Sequence, residues 1–494
     1  MESLVEDVVI VGAGIAGLTT SLALHRLGVR SLVLECSDAL RVTGFALTTW
    51  TNAWKALDAV GVGAILRQQH LQLNEWKPNC MNTPGTRMTS SACTCYVVYT
   101  SHHKITFYSK YSKLHLCIRV YLILLNNLLV NTYIINKLLH PRSIRCRNVT
   151  TSLVMEQQTS SLSLKGTGKH GEREVRCVRR QLMLEALAKE LPSGTMRFMS
   201  KVVAIHESGF SKILHLADGT TIKTKVLIGC DGINSMVAKW LGFKEASFTG
   251  RYVIRGYTKL MGHDGLEPKF NHYFGKGFRA GVLPCDDNTV YWFLTWTPTT
   301  QEMGLTENPA KMKQLALSML EKMPSEVKSF IEKTEVKDIL TSPLRYRHQW
   351  ELMLGNISKD NVCVVGDAFH PMAPDLGQGG CCALEDGIVL ARFLAEAFNK
   401  KPCKHIKEMD EEAKAEVQHK KIVASLKKYA KERKWRSFDI SVTSYVMGLV
   451  LQGDLKLVAH FRDKVLPNFL AELLLKKSDF DCGKLICDTY DVVE

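Results

Sequence analysis

No acidic residue occurs between Trp76 and Met155, a stretch that holds ten Lys or Arg and five of the fifteen cysteines. This local absence accounts for most of the net charge of +15, because the rest of the chain carries 54 basic against 49 acidic side chains. The basic balance is therefore a property of one segment, and it excludes a nucleic-acid partner argued from overall charge. Long apolar runs are also scarce. The uncharged stretch Val120–Asn136 has 17 residues and includes Asn126, Asn127, Asn131 and Asn136, which argues against a membrane span. Neither Cys93 with Cys95 nor Cys482 with Cys487 is matched by a Cys or His pair at zinc spacing, so no structural metal is expected. With a strand beginning by about residue 7 there is no room for a leader. An odd set of thiols fits a reducing compartment, and the expectation is a cytoplasmic protein. A Ser/His/Asp or paired-carboxylate signature is missing, as is a second GxGxxG unit.

What is present begins with VVIVGAGIAGLTTSLALHRLGVRSLVLE, residues 8–35. An apolar strand runs into Gly12, Gly14 and Gly17, a helical segment follows, and a second apolar strand ends in Glu35. Gly12 permits the tight turn, Gly14 lets a pyrophosphate approach the backbone, and Gly17 lets helix and strand pack closely. The helix N-terminus offers unpaired N–H groups to phosphates. Glu35 stands where a carboxylate can accept hydrogen bonds from a ribose diol.

A companion motif lies at residues 361–387, NVCVVGDAFHPMAPDLGQGGCCALEDG. A buried strand ends at Gly366 and Asp367, placing a carboxylate where a polyol chain could donate to it. A loop containing Pro374 leads to Gly377, Gln378, Gly379 and Gly380, which bring a helix N-terminus against a flat ligand without side-chain obstruction. A reduced flavin is negative around N1 and the C2 carbonyl, and such a terminus stabilises it by ~0.3–2 kcal/mol. Between the two motifs, KVLIGCDGINS delivers Asp231 and Gly232 at a strand end. Residues 251–298 alternate and are rich in aromatics, as expected of a mixed sheet with one covered face. Tyr273, Phe274 and Trp292 are read as core, His370, Cys230 and Cys363 as packing residues, and Asp231 as either a cofactor contact or a turn cap. The charged stretch 405–436 is read as a solvated helical face.

With three motifs in this order, the chain resembles the single-component FAD-dependent aromatic-ring monooxygenases, the group of salicylate hydroxylase, p-hydroxybenzoate hydroxylase and zeaxanthin epoxidase, and plant members most of all. The resemblance implies an α/β fold: a Rossmann-like FAD-binding domain like that of p-hydroxybenzoate hydroxylase, with an inserted mixed β-sheet substrate domain and C-terminal helices. It divides the chain into FAD-binding parts at 1–74, 156–250 and 346–400, a substrate sheet at 251–345 and a helical region at 401–494. Residues 75–155 have no counterpart and are read as an irregular insertion foreign to the fold. By the same resemblance Gly12, Gly14, Gly17 and Glu35 hold the ADP half, Asp367 the ribityl chain, and Gly377 to Gly380 lie beside the isoalloxazine. Arg41 and either Arg179 or Arg180 stand near FAD, and Asp231-Gly232 serves FAD and NADPH together. Ala238 departs from the pattern, where the family's motif carries an arginine. The implied reaction is reduction of FAD by NADPH or NADH, addition of O2 to give a flavin C4a-hydroperoxide, and transfer of one oxygen to an aromatic or olefinic small molecule. Alternatives are a flavin oxidoreductase without oxygen transfer and an inactive, insertion-disrupted paralogue.

Overall fold

The β-branched runs VVIV, LVL, VLIG and VCVV are buried on both faces, the pattern of strands in a parallel sheet covered by helices. In the computed structural model, which describes residues 5–40, 44–80, 162–260, 266–275, 277–321, 323–398, 410–452 and 466–485, they form the centre of one sheet. Val5–Val11 pairs in parallel with Leu32–Leu34 on one side and Thr221–Gly229 on the other. The end of Thr221–Gly229 pairs in parallel with Val362–Val364. All described residues belong to one compact unit. The carboxyl ends of these four strands deliver Gly12, Glu35, Cys230 and Gly366 to the same edge, where open α/β sheets bind ligands. Helices Ile15–Arg26 and Gly379–Phe398 start from that edge and pack against each other.

The second sheet runs in the order Ile339–Tyr346, Ser247–Lys259, Thr289–Trp296, Phe278–Pro284, Lys269–Gly275, Glu75–Cys80, Leu162–Ser163. Its side chains alternate. Ile254, Tyr273, Val282, Trp292 and Leu294 form a core of their own with Met312, Ala316, Phe330 and Ile331 from the covering helices. Phe274 is buried in the other, larger core. The fold class is the one expected.

Two boundaries read from composition are corrected. Glu75–Cys80 was assigned with the acid-free stretch, yet it is a strand of the second sheet, parallel to Lys269–Gly275 and antiparallel to Leu162–Ser163. The buried Trp76 anchors it, which a charge count cannot detect. Leu162–Ser163 likewise belongs to this sheet and not to the nucleotide-binding one. The rest of the acid-free stretch, including Val120–Asn136, lies outside the described residues.

The charged stretch near the C-terminus is also corrected. Helix Glu411–Gln452 buries Ile422, Leu426, Tyr429, Arg433, Ser437 and Ile440, a stripe at spacings of three and four that packs on helix Gly379–Phe398. Charged residues surround this stripe and mask it in the sequence. Among the described residues, no helix is long and apolar enough to cross a membrane, and no cluster of His, Cys, Asp and Glu could hold a metal.

Candidate active site

The first glycine turn is built by exclusion of side chains. Gly12 has φ +102°, and a Cβ there would stand 2.5 Å from the Cys230 carbonyl oxygen. A Cβ on Gly17 would stand 1.9 Å from the Gly12 oxygen, so only glycine lets the helix start against the strand. Gly14 is different. The nearest atom to a Cβ there is an Arg180 guanidinium nitrogen at 4.0 Å, and Gly14, Ile15 and Ala16 line an open cleft. Glu35 pins the turn from below, its two oxygens accepting from the N–H of Ala13 (2.9 Å) and of Ser37 (3.0 Å). Burial would raise its carboxyl, but those backbone hydrogen bonds outweigh burial and hold it below the usual range.

The second turn faces the first across the cleft. Gly366, at φ +62°, donates its N–H to Asp386 (2.9 Å) and presents Asp367 to the opening. Although open to the cleft, Asp367 is ringed by protein, and that desolvation raises its carboxyl against the pull of His370, Arg180 and Arg255. Pro374, Gly377, Gly379 and Gly380 line the same wall. Behind them is a buried polar network. Asp386 accepts from His370 (2.6 Å) and from Arg433 (2.5 Å), and Glu385 accepts from Arg433 and Arg436 (both 2.7 Å).

Several expected site residues stand elsewhere. Gln378 turns inward, accepting from Asn52 (2.9 Å), and supports the turn from behind. Arg179 and Arg180 are separated by a change of element, Arg179 ending strand Arg176–Arg179 and Arg180 opening helix Arg180–Lys189: Arg180 lines the cleft, whereas Arg179 points to Asp286 (3.7 Å). Arg179 is therefore corrected as a cleft residue. Asp231 uses both oxygens on its own loop, accepting from Ser235 (2.5 Å) and the Met236 N–H (2.7 Å). Gly232, at φ +75°, is the member of that pair that lines the cleft. Arg41 lies outside the described residues.

Sequence reasoning missed the opposite wall. Val253, Arg255, Arg279, Tyr291 and Phe293 from the second sheet complete the cleft with Met372. Arg279 is fully buried, 2.9 Å from Asp375, which Arg251 also holds bidentately (2.9 and 2.7 Å). Two guanidiniums against one carboxylate leave this wall electropositive. The signal lay in single arginines within apolar strands, YVIRGY and FRAGVLP. Burial pushes the Tyr291 hydroxyl up to about 12 despite the nearby Arg255, so it stays protonated.

An acid-stability prediction follows from Glu35 and Asp386. Burial alone would raise Asp386, but Arg433 and His370 outweigh it and hold its carboxyl at about 2. Because both acids are depressed on folding, their contribution is fully present above roughly pH 5 and is lost as pH falls toward about 2. Tryptophan fluorescence should report unfolding in this window, with Glu35→Gln removing its upper part. Unchanged profiles in Glu35→Gln and Asp386→Asn would contradict these roles.

The cleft fits a dinucleotide ending in a flat ring: an unobstructed backbone at Gly14, a helix N-terminus, a carboxylate at Asp367, and a glycine-lined wall facing aromatics. Comparisons with known proteins agree. The FAD binding domain family matches residues 6–420. Monooxygenase 2 of Arabidopsis thaliana is 43% identical over 97% of this chain and 98% of its own length. Monooxygenase 1 of the same plant is 29% identical over 97% of this chain and 99% of its own. Among solved structures, HpxO of Klebsiella pneumoniae in complex with FAD and uric acid has the same fold, with a TM-score of 0.66 at 16% identity, covering 96% of each chain. Four parallel strands converging on two glycine turns, with these relatives beside them, make the chain a member of the FAD-dependent aromatic-ring monooxygenases, an oxidoreductase that binds FAD.

Proposed function

We propose that this protein takes electrons from NADPH or NADH and inserts one atom of O2 into a small planar aromatic or olefinic substrate held between the glycine turns and the second sheet. The observation that carries this reading is the two-sided cleft, with Asp367 and the glycines on one wall and Arg255, Arg279, Tyr291 and Phe293 on the other. The ADP half runs past Gly14 and the start of helix Ile15–Arg26 with Arg180 beside it, over a turn that Gly12, Gly17 and Glu35 shape from within. Asp367 accepts from the ribityl chain, and Gly377 to Gly380 border the ring. Residues 1–74, 164–246 and 346–400 serve the cofactor, and the second sheet serves the substrate. Bound FAD would supply the electron relay and the activation of O2 at its C4a edge.

The chain's own residues bind, orient and exclude water. Phe293 and Val253 offer an apolar face to a ring. Arg255 and Arg279 suit a substrate oxygen that carries negative charge. The Tyr291 hydroxyl, kept protonated, can donate a hydrogen bond. No strongly basic group is required in the cleft, because the cofactor carries the chemistry.

The decisive test follows NADPH and NADH oxidation with candidate planar acids under 18O2. One labelled oxygen in the product supports monooxygenation, whereas substrate oxidation without label makes the protein an oxidoreductase that does not transfer oxygen. For Asp367→Ala the expected result is loss of FAD on gel filtration. One hydrogen bond to a charged group contributes ~1.5–3 kcal/mol, which weakens retention by about ten- to a hundredfold. A variant that keeps full flavin absorbance overturns the ribityl assignment.

A further inference from the structure

We propose that Arg433 and Arg436 neutralise the buried pair Glu385–Asp386 and thereby keep the amino end of helix Gly379–Phe398 electropositive toward the flavin ring, setting the reduction potential of the bound cofactor. Both arginines come from helix Glu411–Gln452 and are positioning residues that act through that pair. The inference rests on the FAD-binding reading and needs nothing of the oxygen-transfer step.

The geometry is specific. Glu385 and Asp386 lie six and seven residues beyond Gly379, about 9–11 Å along the axis from the helix start. Each carboxylate is fully buried. Two negative charges so near the amino end would oppose the partial positive charge that favours an anionic, reduced ring. Arg433 bridges both acids, with Nε on Asp386 (2.5 Å) and a terminal nitrogen on Glu385 (2.7 Å). Arg436 adds a second pair of bonds to Glu385 (2.7 and 3.1 Å). Two guanidiniums thus balance two carboxylates, and the guanidiniums hold both acids below their usual range against burial.

The same network reaches both ends of the second turn. Asp386 receives the Gly366 N–H, next to Asp367. Glu385 receives the Asn52 side chain (2.5 Å), which also donates to Gln378 between Gly377 and Gly379. Apolar residues of the same volume would stabilise such a site as well or better. Fold stability alone therefore does not account for three fully buried charges and a fourth largely covered one at this position.

The test measures the midpoint potential of bound FAD by dye equilibration, together with the FAD dissociation constant and thermal melting. Arg433→Met leaves one carboxylate unbalanced and should move the potential negative. Asp386→Asn should move it positive, and the double variant should return it toward the parent value. Arg433→Lys, which keeps the charge, should stay near the parent. If Arg433→Met does not fold, Arg436→Gln, at a partly exposed position, should give the same negative shift. Potentials that match the parent in every variant overturn the proposal, as does an equal shift in Arg433→Met and Arg433→Lys. A protein that reduces its flavin but transfers no oxygen would still give these shifts, so failure of the monooxygenase reading is read separately.

Discussion

Gly17→Val is expected to yield no flavoprotein at all. Its Cβ would lie 1.9 Å from the Gly12 oxygen, a backbone atom that cannot rotate away. Relief requires the helix Ile15–Arg26 to lift from the sheet, and that helix packs against Gly379–Phe398, whose start forms the second turn. Overpacking in a fixed core costs ~1–3 kcal/mol even where neighbours yield, and here the yielding element is a whole helix. Against a domain stability of ~5–15 kcal/mol the loss is a large fraction. Expression with a circular dichroism melt and a flavin spectrum checks it: a yellow variant with parental melting contradicts the packing described. Gly14→Ala provides the contrast. Its Cβ meets nothing nearer than 4.0 Å, so the fold should survive while FAD binds more weakly.

Arg279→Met is expected to leave the flavin bound and to lower kcat/KM for an acidic planar substrate by about ten- to a hundredfold. A hydrogen bond to a charged group is worth ~1.5–3 kcal/mol, and the loss appears as the corresponding rate ratio. Asp375 keeps its bidentate partner Arg251, so the substitution does not strand a buried carboxylate. The same variant should discriminate less between the acid and its neutral amide. Equal losses for both compounds would mean that Arg279 shapes the cleft without reading charge, and no loss would remove it from the site.

The nucleotide-binding half of the cleft was legible because its chemistry depends on local sequence. Gly12, Gly17 and Gly366 are dictated by φ or by contact distances that only glycine satisfies, whereas Gly14 stands open to the cleft with no such constraint. The other wall was not legible, since Arg255 and Arg279 become neighbours only when strands far apart in the chain pair in register. Their signal was a charged residue at a buried position, which a sequence alone cannot distinguish from an outward-facing one. Arg433 was hidden for a related reason. Lysines and glutamates surround it on the same helix, and only the packing against Gly379–Phe398 singles it out. The two adjacent arginines, Arg179 and Arg180, could not be separated because the strand-to-helix boundary that sends them different ways falls between them.

The long helix Glu411–Gln452 has a consequence for biosynthesis. Every motif associated with the cofactor is complete by residue 387, but the cations that compensate Glu385 and Asp386 emerge from the ribosome some fifty residues later. A chain that stops there holds two acids without their cations, and burying them unpaired should keep the second turn from closing over them. Flavin retention is therefore expected only in chains that extend past Arg436, and products cut between residues 387 and 433 should carry the complete fingerprint while remaining colourless.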